Sequence, residues 1–137
     1  MRTLPTALAL AAATALAGCS TADETVALDA GEAAVAVGDT LRVDIGLVRD
    51  SVGDNWYLVG GTESGVLADA GKSTEDDAGC DGTGCGEFLS WDFEALAAGE
   101  AVLRFQYCFR TPLDACEGDA DGGPPPEPVE IAVTVAD

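Results

Sequence analysis

The sequence contains no histidine. That absence removes the Ser/His and Cys/His pairs on which most nucleophilic hydrolases depend. It also removes the commonest metal ligand, and no two cysteines form a C-x-x-C pair, so a zinc site has little to build on and no metal is expected. Positive charge is nearly as scarce: 6 Lys and Arg stand against 25 Asp and Glu, a formal net charge of −19. So acidic a chain repels nucleic acid and anionic headgroups, and any protein partner should be neutral or basic where it touches. Helical periodicity is missing too. Beyond the N-terminus only "EALAAGE" (94–100) hints at a helix, and it is short, ends near Gly99 and reads as a turn. With so many acids, carboxylate pairs arise by chance and no spacing marks one as catalytic. The Gly-rich "GCDGTGCGE" (79–87) has no following Lys and acidic surroundings, so it is no phosphate cradle. "EGDADGG" (117–123) resembles the start of a calcium loop, but Pro128 stands where the bidentate Glu is required. "TEDDAGCDG" (74–82) is a second acidic loop with no better claim. No enzyme activity and no cofactor are expected.

One continuous apolar stretch does exist, at the start. "MRTLPTALALAAATALAGCS" has one cation, Arg2, then an Ala/Leu-rich run, then small residues before a Cys. The run is too short and Ala-rich to span a bilayer stably, and its order is that of a secretory signal. "LAGC" at 16–19 resembles the bacterial lipobox. It implies a lipoprotein signal peptide over 1–18, lipid on the sulfur of Cys19, and an exported chain held on the cell envelope. Cleavage would remove Arg2 and no acid, leaving 5 basic against 25 acidic residues, net −20. Residues 19–30 read as a tether, and 31–137 as one domain of ordinary size. Membrane contact should come through the lipid.

Four cysteines remain: Cys80, Cys85, Cys108 and Cys116. Outside the cytoplasm an even number implies disulfides. Three pairings are possible; the local one, Cys80 with Cys85 and Cys108 with Cys116, is expected.

Period-two alternation dominates the domain. Leu41, Val43 and Ile45 share one face, as do Leu89, Trp91 and Phe93. So do Ala101, Leu103, Phe105, Tyr107 and Phe109, and Val129, Ile131, Val133 and Val135. "AAVAV" (33–37), "WYLV" (56–59) and "GVLA" (65–68) are shorter candidates. About seven strands, each with one polar face, predict an all-β protein: an immunoglobulin-like antiparallel β-sandwich. Its connections alternate in length. Those at 38–39, 60–64 and 94–100 are short, whereas 46–55, 69–87 and 110–128 are long. If successive strands reverse direction, the three long connections share one end. Loops of such length usually act or are disordered, and disulfides there would limit the entropy lost on binding.

The order of these features resembles the chagasin family of papain-type cysteine protease inhibitors. "VAVGDTLRVDI" is similar to that family's V-G-D/E-x-L opening strand, and "SVGDNWYLVGG" to N-P-T-T-G-Y-x-W. "GTGCGEFLSWDFEALAAGEAVLRFQY" is similar to G-x-G-G and the strands after it, and an Arg/Pro segment precedes "PPEPVEIAVTV". The resemblance implies a wedge of three loops that blocks the protease cleft. Its residues here would be Asp50, Ser51, Val52 and Gly53; Gly82, Thr83, Gly84 and Gly86; and Arg110, Thr111 and Pro112. It departs from the family at Arg49, Asp50, Ser51 and Val52, where the family has N-P-T-T. Cys85 replaces a glycine, and Leu113 follows Pro112 where the family has Trp. The expected partner is a papain-like cysteine protease, met by a monomer. The alternative is a cell-surface lipoprotein of the same fold that binds another protein without inhibiting.

Overall fold

The computed structural model describes residues 21–137; the segment read as a signal peptide (1–18) and the proposed lipidation site Cys19 lie outside them. Eight strands form. They are β1 (Glu24–Ala27), β2 (Glu32–Ala36), β3 (Thr40–Val48), β4 (Asp54–Gly60), β5 (Leu67–Asp76), β6 (Glu87–Ala95), β7 (Gly99–Phe109) and β8 (Val129–Ala136). They build two four-stranded sheets, ordered β1-β3-β6-β5 and β2-β8-β7-β4. The expected sandwich is therefore present, with two changes. An eighth strand, β1, forms within the segment read as tether. The sheets are not wholly antiparallel: β1 lies parallel to β3, and β2 parallel to β8, at one edge of each sheet.

Burial follows the alternation where the register is regular. Leu41, Val43, Phe93, Leu103, Phe105, Ile131 and Val133 are buried and fill the space between the sheets. Phe93 and Phe105 meet edge-on at 6.1 Å, with Trp91 beside both. Alternation fails at two places, each for a visible reason. In β3 a bulge between Asp44 and Gly46 shifts the phase by one residue. Val48 is consequently buried, Leu47 is exposed and Ile45 is only half-buried. At the end of β7 the expected inward residues Tyr107 and Phe109 are half-buried, whereas Gln106 and Cys108 are buried. There the 110–128 loop covers the outer face: Gln106 Nε2 donates to Pro126 O at 3.0 Å, and Cys108 is bonded to Cys116.

Two of the long connections are shorter than the sequence suggests. The first occupies only 49–53 and the second 77–86, because β3 runs on to Val48 and β5 to Asp76. The last eight residues of β5, "DAGKSTED", include no large apolar side chain and are exposed throughout. It is a strand because its backbone pairs with β6 from Leu67↔Ala95 to Asp76↔Glu87. A bulge at Asp69–Gly71 and mixed charges blunt its free edge. Asp69 Oδ1 accepts from the Trp91 indole N–H at 2.8 Å, so the largest core ring keeps its donor satisfied. The third connection spans 110–128, as expected.

Candidate functional site

Strand pairing brings the three connections to one end. Val48 and Asp76 both pair with Glu87, so the first loop leaves, and the second loop spans, the same edge of one sheet. Asp54 pairs with Phe109, so in the other sheet the first loop arrives where the third departs. The opposite end carries the turns at 37–39, 61–66 and 96–98.

The first loop is a compact turn. Asp50–Val52 form one turn of 3-10 helix, closed by Val52 N–H to Arg49 O (3.0 Å) and Gly53 N–H to Asp50 O (3.1 Å). Asp54 Oδ2 returns to accept from Arg49 N–H at 2.9 Å. Asp50, Ser51 and Val52 are exposed, and Gly53 is buried beneath them with φ +116°. A side chain at Gly53 would be strained by that φ and would collide with Arg110 Cγ, so only glycine fits.

Arg110 ties this turn to the third loop. Its backbone N–H donates to Gly53 O at 2.8 Å and its Nε–H to Val52 O at 2.9 Å. Its guanidinium lies 5.0 Å from the Phe109 ring centre. To do this Arg110 adopts φ +56°, the only positive φ of any non-glycine among the described residues. Such a conformation persists only where its surroundings fix it, and it concentrates at functional sites. Thr111 scaffolds the loop: its Oγ1 accepts from Glu117 N–H at 2.8 Å, and its carbonyl accepts from the Tyr57 hydroxyl at 3.3 Å. Pro112 is exposed and leads into a short 3-10 turn, Leu113–Ala115. The Cys108–Cys116 disulfide pins the loop's return.

The second loop is closed by Cys80–Cys85, so the disulfides follow the local pairing expected from the sequence. Gly82, Thr83 and Gly84 form its exposed tip, and a Cβ at either glycine would meet nothing within 4 Å. Gly86 differs. It is buried at the loop's base, where a Cβ would lie 2.7 Å from Leu47 Cδ1 and 2.8 Å from Val48 O. It packs β6 against β3 and presents nothing at the tip. The acidic run at 117–123 is likewise occupied by its own backbone: Asp119 Oδ1 accepts from Asp121 and Gly123 N–H, both at 2.9 Å.

Sequence reasoning missed residues that hold the rim from below. The Tyr107 hydroxyl donates to Asp54 Oδ1 at 2.6 Å, and its ring packs on Trp56 at 5.4 Å. Burial first, and the bond to Asp54 second, push the Tyr107 phenol up to about 12. The signal lay in the sequence, since Tyr107 and Trp56 both fall on inward positions, but their pairing is tertiary. Leu113 was also passed over because it is not tryptophan. It is 44% exposed and Val52 40%, which puts an apolar side chain on each of two rim loops.

No protein-family model matches this chain, and no curated protein matches it. Solved structures do. The chain is similar to amebosin, known from a solution structure, with 14% identity and a TM-score of 0.56 over 82% of this chain and 96% of that one. It is also similar to the cysteine protease inhibitor EhICP2 from Entamoeba histolytica, with 10% identity and a TM-score of 0.57 over 82% of this chain and 93% of that one. The likeness is one of fold: an immunoglobulin-like sandwich shared with a cysteine protease inhibitor.

Proposed function

We propose that this protein is a lipid-anchored inhibitor of papain-like cysteine proteases, acting by steric occlusion of the active-site cleft. One observation carries the reading: the 49–53 turn stands on the same rim as the two disulfide-closed loops, clamped by Arg110. Ser51 and Val52 would lie over the catalytic thiol. They form a 3-10 turn closed by its own hydrogen bonds, not an extended strand, so no peptide bond is offered in the form a protease cleaves. The Gly82–Gly84 tip allows close backbone approach on one side of the cleft. Pro112 and Leu113 brace the other side. Two disulfides and the Arg110 bonds fix the rim before contact, so little conformational entropy remains to be lost on binding. Cys19 would hold the protein at the bacterial envelope through its lipid. The shared fold with a named cysteine protease inhibitor supports the target class.

The test is an inhibition assay on papain with a soluble form beginning at Thr21. Nanomolar competitive inhibition, lost when residues 50–53 are replaced, is the expected result. No inhibition at micromolar concentration would leave the alternative, a lipoprotein of the same fold that binds a different protein. Replacing Cys19 with Ser should release the full-length protein from membranes; retention there would contradict the lipid anchor.

A further inference from the structure

We infer that the loop rim is the membrane-distal end of the anchored protein, so its target is a protease that approaches from the aqueous phase and not one seated in the same bilayer. This rests on the lipid-anchor part of the proposal and not on protease inhibition.

The chain enters the sandwich at the end opposite the rim. Asp23 N–H donates to Thr40 O at 2.9 Å, and Asp23 Oδ2 accepts from Thr40 N–H at 2.8 Å. Glu24 then pairs with Leu41 at the start of β3. Thr40 is the first residue of β3, and the rim begins after its last, Val48. β7 runs the length of the body in 11 residues, which at about 3.3 Å per residue is roughly 35 Å. From Cys19 to Asp23 the chain advances four residues, a reach of at most about 14 Å even fully extended. A tether that short holds the entry end close to the surface that carries the lipid, and it cannot turn the body over to bring the rim face down onto that surface. Charge opposes tilting as well. Asp50, Asp81 and Asp114 are exposed on the three rim loops, and anionic headgroups would repel them within a Debye length of about 8 Å as the rim tilted towards the surface.

The experiment uses the full chain, lipidated in a bacterial host and reconstituted into vesicles containing anionic lipid and a headgroup-linked quencher. A fluorophore is placed on Thr21→Cys or, separately, on Ser51→Cys. The expected result is loss of most of the emission at residue 21 and none at residue 51. Equal quenching at both positions would overturn the inference, and so would failure of the protein to bind the vesicles. Papain inhibition is measured on the vesicles carrying the protein labelled at residue 21, whose rim loops are unmodified. An unquenched rim that inhibits nothing leaves this orientation standing and removes the inhibitory reading; an inhibitory rim quenched as strongly as residue 21 does the reverse.

Discussion

Arg110 joins the first and third loops through one backbone and one side-chain hydrogen bond, and it does so in a left-handed conformation. These effects oppose each other in a substitution. Arg110→Gly relieves about 1 kcal/mol of backbone strain and forfeits about 1 kcal/mol of net hydrogen bonding. Stability in urea should therefore change by less than about 1 kcal/mol, while inhibition falls because the 50–52 turn is no longer clamped. Gly53→Ala has no such compensation. It adds left-handed strain and displaces Arg110, so a loss of about 2–3 kcal/mol is expected. Wild-type stability for that variant would refute the packing described. Tyr107 gives a pH signature. Its phenol is raised from the ordinary 10 to about 12, so the folded state holds this proton more tightly than the unfolded chain. The stability it contributes is complete below pH 10 and is lost as pH rises towards 12. Urea titrations across that window should show this component, and Tyr107→Phe should remove it.

At the scale of elements, much of the sandwich was legible before the structure. Leu41 and Val43, Trp91 and Phe93, Leu103 and Phe105, and Ile131 and Val133 alternate because one face of each strand meets the core. What was not legible has physical causes. A bulge such as that at Asp44–Gly46 leaves no apolar mark, yet it moves burial from Ile45 to Val48. Residues 69–76 are held by backbone pairing alone, so their side chains carry no strand signal. β1 is four residues long, and only Val26 and the neighbouring Leu28 pack against the core. Of the rim, the exposed positions 50–52 and 82–84 were readable from sequence. The role of Gly86 as a packing residue was not, because it depends on the approach of Leu47. The disulfides separate two kinds of loop. Cys108 is fully buried, so Cys108→Ser with Cys116→Ser loses the crosslink and also buries a hydroxyl; about 3–4 kcal/mol is expected. Cys80 is exposed in a loop that can loosen locally, so Cys80→Ser with Cys85→Ser should cost less, about 1–2 kcal/mol. Denaturant midpoints of the two double variants should fall in that order, and the reverse order would contradict the burial pattern.

For the whole molecule, one sign of charge and one end that carries all three long connections set the behaviour. With 25 acids against so few cations, the folded body repels itself, and added salt should raise its melting temperature by screening. A melting temperature that falls between about 0.05 and 0.5 M salt would mean that specific ion pairs, such as Arg42 with Asp92 at 2.8 Å, outweigh the net repulsion. The rim itself joins three chain segments widely separated in sequence, and under the proposed inhibition it would act as a unit. Hydrogen exchange of the protein with and without saturating papain tests this most directly. The account predicts slowed exchange together at 50–53, 82–86 and 110–113, with the turns at 37–39, 61–66 and 96–98 unchanged. Protection confined to the exposed edge of β5, or found at the opposite end, would contradict it.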